Sequence, residues 1–260
     1  MGGGEDLRAL VTGASSGIGA AFARRLKQRG ERLVLVARRA ERLAALARDL
    51  GGPPAVEFIP LDLTLADGPA RLERELSERG LGVDLLVNNA GVGHTGRFAE
   101  EPLPKILEMI DLNSRGLVEL THRLLPGMLA RGRGRIINVV STGAFQPLPY
   151  MAVYGATKAF VLSYTEALAT ELQGTGIVVQ ALCPGLTTTE FQQVAGTDRV
   201  LFNRTAAMSP DAVATTSLAA LERGRLRVVV GWHNRLTIMA QHFVPPSLVR
   251  TVAARLFKTR

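Results

Sequence analysis

At 260 residues, 47% hydrophobic and 21% charged, the chain has the size of one large α/β domain and can bury a core without staples. Its single cysteine, Cys183, excludes an intrachain disulfide and any cysteine-based metal site, and the four histidines (His94, His122, His233, His242) form no i, i+4 pair, so no metal ligand set is expected. A formal charge of +8 suits nucleic acid, an anionic membrane or an anionic cofactor, but the arginines are interleaved with Asp and Glu in no long like-charged run, so nucleic acid is set aside as a partner.

The N-terminus, Met1 to Asp6, lacks the charged and apolar regions of a signal peptide and the Ser or Thr of a myristoylation site, and no apolar run approaches a membrane span. A cytoplasmic protein is expected. The first strand, 7–12, runs into Thr12-Gly13-Ala14-Ser15-Ser16-Gly17-Ile18-Gly19 and then a helix over 17–29. Three glycines at a strand-to-helix turn let backbone approach an anion, and the helix N-terminus supplies free N–H groups and a positive dipole end. The spacing departs from G-x-G-x-x-G, so its weight comes from its place after the first strand.

A second strand, 32–37, ends at Ala37 and is followed by Arg38 and Arg39, with a helix at 40–50. In a dinucleotide-binding unit an acidic residue at this strand end binds the ribose 2′-hydroxyl, whereas Arg accommodates a 2′-phosphate. Arg38 can pair bidentately with phosphate, which favours NADP (NADPH) over NAD. Strands at 55–61 and 83–88 follow, alternating with helices at 68–79 and 103–131. Continuous Val/Ile/Leu strands alternating with helices predict a parallel, doubly wound α/β sheet covered on both faces.

The fifth strand, 135–141, ends at Ser141, and a helix over 152–173 carries Tyr154 and Lys158 four residues apart on one face. Ligands of open α/β sheets bind outside the carboxyl ends of the strands, so Ser141 can share a cleft with Tyr154 and donate to a developing oxyanion. A phenol titrates at about 10; lowering it to neutrality takes roughly 4 kcal/mol, which a nearby ammonium and a bound nicotinamide riboside could supply together. Lysine is scarce, with only Lys27, Lys105, Lys158 and Lys258 among 31 basic residues. A buried, compact ammonium is a role that Arg cannot take.

A sixth strand at 177–183 opens an irregular segment, 186–209, polar with Phe191, Val194, Leu201, Phe202 and Met208 scattered through it; it is read as a substrate-binding region. Ser209-Pro210 reads as the N-cap and first residue of another helix, and 226–231 as a last strand. The extension 235–260 has an apolar segment at 236–244, then Pro245-Pro246, then an amphipathic helix at 248–257. Three readings compete for that helix: packing on its own domain or a sister subunit, a lid over a lipophilic pocket, and a basic helix lying on an anionic membrane.

Taken together, TGASSGIG at 12–19, Asp62-Leu63, Asn88-Asn89-Ala90-Gly91, Asn113, Ser141, Tyr154-x-x-x-Lys158 and Pro184-Gly185 resemble the short-chain dehydrogenase/reductase family in order and spacing over about residues 7–191. The resemblance implies a single Rossmann-type catalytic domain spanning 1–260 and a carbonyl–alcohol oxidoreductase. It implies that Asp62 and Leu63 contact the adenine, that Asn89, Ala90 and Gly91 border the cofactor, and that Asn113 holds a water in a proton relay through Lys158. It places Pro184, Gly185, Thr187 and Thr189 against the nicotinamide end, and it implies a homodimer or homotetramer packed through the helices that hold Asn113 and Tyr154. Val140 departs from a Ser common beside the catalytic one, with no expected consequence. A lipophilic small-molecule carbonyl or alcohol is the expected substrate. The rivals are a non-catalytic NADP-binding sensor, a peripheral membrane protein, and an epimerase or dehydratase on the same scaffold.

Overall fold

The computed structural model describes residues 8–196, 207–241 and 243–258; Met1, Asp6, Leu201, Phe202 and His242, named above, and the first residue of the strand expected at 7–12 lie outside them. Seven strands form one parallel sheet in the order β3-β2-β1-β4-β5-β6-β7. These are β1 (Arg8–Thr12), β2 (Arg32–Ala37), β3 (Val56–Pro60), β4 (Leu85–Asn88), β5 (Gly134–Val139), β6 (Ile177–Cys183) and β7 (Arg227–Val229). The expected doubly wound sheet is therefore present. The chain winds outward from β1 on one side and from β4 on the other, which leaves a crevice at the carboxyl ends where the two halves diverge.

Alternation along β1 and β2 explains why these strands are apolar throughout. Ala9, Val11, Leu33 and Leu35 face a layer made by α1 (Gly17–Gln28), α2 (Ala40–Asp49) and α8 (Pro210–Leu221), with Phe22, Leu43 and Leu218 in that core. Leu10, Val34 and Val36 face the opposite layer of α3 (Gly68–Glu78), α5 (Gly116–Ala130) and α6 (Ala152–Glu171), with Leu72, Leu120 and Leu168. Neither face of the strand is left to water.

The helix expected at 103–131 is three pieces: α4 (Leu103–Ile110), a wide π-type turn at Asp111–Arg115, and α5. The buried positions Ile106, Met109, Asn113, Leu117 and Leu120 keep helical spacing through this turn, so periodicity does not show it. β5 ends two residues before Ser141, which instead caps a 3₁₀ turn, Thr142–Phe145. Ser209 caps α8 as expected, its Oγ accepting from the Ala212 N–H at 3.1 Å. α7 (Phe191–Val194) lies within the irregular segment, whose ends are joined by hydrogen bonds from Thr188 N–H to Met208 C=O and from Met208 N–H to Leu186 C=O, both 2.9 Å. At the C-terminal end, α9 (Trp232–Gln241) occupies what was read only as an apolar segment, and α10 (Pro246–Phe257) matches the expected amphipathic helix. Among the described residues, no helix is long and apolar enough to cross a membrane.

Candidate active site

The turn after β1 is shaped by contacts that exclude a side chain. A Cβ on Gly13 (φ 65°) would lie 2.8 Å from the Ala90 Cα, and one on Gly19 would lie 2.4 Å from the Gly13 carbonyl oxygen. Gly19 thus brings the start of α1 against the strand tip. Thr12 fastens that tip to β4. Its Oγ1 donates to the Val87 carbonyl (3.2 Å) and accepts from the N–H groups of Asn89 and Ala90, both 3.0 Å, while the Asn89 amide donates to the Thr12 carbonyl at 2.9 Å. Sequence reasoning quoted Thr12 as part of a motif and missed this role, because the partners lie 75–78 residues away.

Arg38 and Arg39 both reach the cleft, by different routes. Arg39 donates to the Ser15 hydroxyl (3.2 and 3.0 Å), to the Ser16 hydroxyl (2.9 Å) and to Glu190 (2.9 Å). Arg42, not singled out from sequence, holds the other oxygen of Glu190 at 2.5 Å. Hydrogen bonds from these two guanidiniums hold the Glu190 carboxyl below its ordinary range. Arg38 pairs with Glu108 at 2.9 Å and stands 3.8 Å from Asp62, whose other oxygen accepts from the Thr64 N–H and hydroxyl.

Ser141, Tyr154 and Lys158 meet at the carboxyl end of β5. Lys158 is buried, and its Nζ donates to the Val139 carbonyl at 2.8 Å, 5.9 Å from the centre of the Tyr154 ring. Burial lowers the ammonium to about 8. The phenol goes the other way from the sequence expectation: burial pushes Tyr154 up, and its hydrogen bond with Ser141 offsets only part of that. The geometry gives the reason, since the ammonium is turned toward the β5 carbonyl. A neutral phenol hydrogen-bonded to a hydroxyl is suited to giving up a proton to an oxygen that is gaining charge.

Asn113 sits on the π-type turn, behind this group. Its Oδ1 accepts from the Val92 N–H and its Nδ2 donates to the Val92 carbonyl, both at 2.9 Å, and to the Thr157 hydroxyl at 3.1 Å. Both amide protons are committed to protein, so the side chain clamps the segment after β4. A Cβ on Gly91 would come within 3.1 Å of Asn113 Oδ1 and 3.5 Å of Lys158 Nζ, so these three residues are packed together.

One cavity of about 880 Å³ joins these parts. Gly13, Ser15, Ser16, Gly17, Ile18, Arg38, Arg39, Asp62 and Leu63 line one end, with Asn89, Ala90 and Gly91 beside them. Ser141, Tyr154, Lys158, Pro184, Gly185, Thr187 and Thr189 line its middle. Gly19 and Asn113 are the predicted site residues that stand behind the wall. The far end is apolar, with Leu148, Val194, Ile238, Leu248 and Phe257, and Phe191 of α7 lies 5.4 Å from the Tyr154 ring. Gln146 and Gln241 add a polar pair there, joined through the Gln241 Nε2, with the Gln241 Oε1 buried and unpartnered. The glycine-shaped cradle and the arginine cluster fit the phosphates of a dinucleotide. Among the described residues no cluster of three or more His, Cys, Asp or Glu could hold a metal ion.

Known proteins match this arrangement. The family pattern described as short chain dehydrogenase matches residues 8–199. Sulfoacetaldehyde reductase 2 of Chromohalobacter salexigens is 41% identical over 187 residues, covering 71% of this chain and 74% of its own. A short-chain dehydrogenase from Sphingobium yanoikuyae, solved in complex with NADPH, is 37% identical, superposes with a TM-score of 0.82 and covers 94% of this chain and 95% of its own. A short chain dehydrogenase/reductase from Burkholderia phymatum, solved in complex with NAD, is 26% identical with a TM-score of 0.81, covering 96% and 97%. With the winding of the sheet and the content of its crevice, these matches place the chain in the short-chain dehydrogenase/reductase family of oxidoreductases.

Proposed function

We propose that the protein is an NADP(H)-dependent enzyme that interconverts a ketone or aldehyde and an alcohol on a lipophilic small molecule. The observation that carries this reading is the single cavity in which the glycine turn, the Ser141–Tyr154–Lys158 group and an apolar chamber are continuous. A nicotinamide bound there supplies or accepts the hydride. Ser141 holds the substrate oxygen and Tyr154 gives it a proton as the alcohol forms. Lys158, which titrates near 8, returns a proton toward Tyr154, and Asn113 steadies the Val92 segment beside them.

NADP rather than NAD is supported by Arg39 at the Ser15 and Ser16 hydroxyls, by Arg38 lining the same end of the cavity, by Arg42 sharing Glu190 with Arg39, and by a last residue of β2 that is not a carboxylate. The same reading includes a homodimer or homotetramer and a cytoplasmic location. The subunit contact is supported by the exposed stripe Leu103, Leu107 and Ile110 on α4, near the turn that holds Asn113. Carbonyl-dependent NADPH oxidation over a panel of aldehydes and ketones, with NADH in parallel, tests the function. Tyr154→Phe should lose turnover by about a thousandfold or more while still binding NADPH, and near-normal turnover would remove the claim. Arg38→Asp should reverse the preference for NADPH; full retention would assign the 2′-phosphate to Arg39 and Arg42 instead.

A further inference from the structure

We infer that α9 and α10 form a docking surface for an anionic lipid bilayer, placed so that the mouth of the catalytic cavity opens toward the acyl chains. The inference concerns a surface outside the catalytic group and stands or falls separately from the choice of cofactor and substrate.

Its first support is a helix face that none of the described residues covers. Trp232, Leu236 and Met239 follow i, i+4, i+7 spacing along α9, and Phe243 continues the stripe just past the helix end. All four are exposed, Trp232 at 73% and Phe243 at 88%. None of them lines the cavity. Leu248 and Val252, one turn apart on α10, are exposed as well, yet they also line the cavity, so the apolar surface runs to its opening.

The second support is where the charge lies. Residues 1–222 hold 23 basic and 23 acidic side chains. The last 38 residues hold eight basic ones and no Asp or Glu, so the whole formal charge of +8 belongs to them. The interleaving seen along the chain stops at Glu222. Arg235, Arg250, Arg255 and Lys258 stand exposed on the same two helices as the apolar stripe.

Within α9 and α10 the apolar side chains are accompanied by basic ones and by no carboxylate of the same helices, which is what an interfacial helix needs: the rings and aliphatic groups enter the headgroup boundary and the cations meet anionic lipid. A second copy of the chain fits this face poorly. An isologous contact through α9 and α10 would set the same cations against each other, and these two helices carry no carboxylate of their own to answer them. The α4 stripe differs, because Glu100, Glu101 and Glu108 stand in sequence beside Lys105 there. A bilayer would also deliver a lipophilic carbonyl directly to Leu248 and Val252.

Trp232 is the only tryptophan, so the protein carries its own reporter. Full-length protein is mixed with vesicles of phosphatidylcholine, with and without phosphatidylserine, at low and high salt, and sedimented. Phosphatidylserine vesicles should bind it, shift the Trp232 emission to the blue and quench it when the acyl chains are brominated. Binding should fall at least about tenfold at high salt or without phosphatidylserine. Met239→Ser with Phe243→Ser keeps the reporter and should weaken binding about tenfold or more, leaving turnover of a water-soluble carbonyl unchanged. The inference is overturned if vesicles cause no shift or quenching, if neutral vesicles bind equally well, or if heparin gives the same blue shift. It is equally overturned if vesicle-free emission is already blue and moves to the red on dilution as the oligomer dissociates, which would make the face a subunit contact.

Discussion

Lys158 shows what the burial of a charged group costs the fold. Its ammonium is buried against one carbonyl, and burial brings its titration from 10.5 in the exposed state down to about 8. Below pH 8 the lysine is charged in both states, and the folded protein carries the desolvation cost. Between about 8 and 10.5 the unfolded chain still holds a proton that the folded chain has released, so stability rises with pH across that window, by about 3 kcal/mol in all. Urea midpoints of the wild type against Lys158→Met, taken from pH 7 to pH 10.5, should therefore show the wild type gaining on the variant; a flat difference would mean that the lysine keeps its proton throughout. The residues assigned to the chemistry stand out in the sequence because their types are unusual in their places: one of only four lysines in an arginine-rich chain, one turn from a tyrosine. Arg42, Glu190, Gln146 and Gln241 do not, because each acquires its role from a partner far along the chain, such as Glu190 reaching Arg42 across 148 residues.

At the scale of elements, the strands and most helices follow from apolar runs and their period, whereas the interruptions do not. The π-type turn at Asp111–Arg115 is hidden because the buried residues from Ile106 to Leu120 keep helical spacing through it. α9 was missed because its large apolar residues face solvent, leaving Ile238 as its one buried residue, so its period does not report a core. The phosphate turn was legible as chemistry, but which of its glycines is intolerant of change is a matter of distance. A methyl group on Gly19 would meet the Gly13 carbonyl at 2.4 Å and the Asn89 amide at 2.5 Å, both parts of the link between β1 and β4. A Cβ on Gly82 would meet nothing within 4 Å. Gly19→Ala should thus weaken binding of the nicotinamide dinucleotide by about tenfold or more and lower stability by roughly 1–3 kcal/mol. Gly82→Ala should change neither beyond about 0.5 kcal/mol. Cofactor titration by nucleotide fluorescence and urea unfolding of both variants check the pair, and equal behaviour would show that the turn relaxes around a side chain.

For the whole molecule, an apolar strand pattern implies a sheet covered on both sides, but strand order is set by crossovers that no local signal encodes. How copies assemble is a further step, and it depends on surfaces. The chain presents two apolar stripes of like spacing: Leu103, Leu107 and Ile110 on α4, and Trp232, Leu236 and Met239 on α9. Charge separates them. Across the turn that follows α4, Arg115 pairs with Asp111, and on α5 Arg123 pairs with Glu119 and with Glu73 of α3, so this side of the molecule carries both signs close together. A two-fold contact there can set cations against carboxylates around an apolar centre that includes Phe160 of α6, which is exposed and stacked on Tyr164. Leu107→Glu should then shift the protein toward monomer, raising the dissociation constant by about a hundredfold through a charge buried without a partner. Sedimentation equilibrium over a dilution series reads this directly. Met239→Ser with Phe243→Ser should leave the same equilibrium in place, because the α9 stripe is assigned to lipid. If the α4 variant assembles as the wild type does and the α9 variant comes apart, the two surfaces have been assigned the wrong way round.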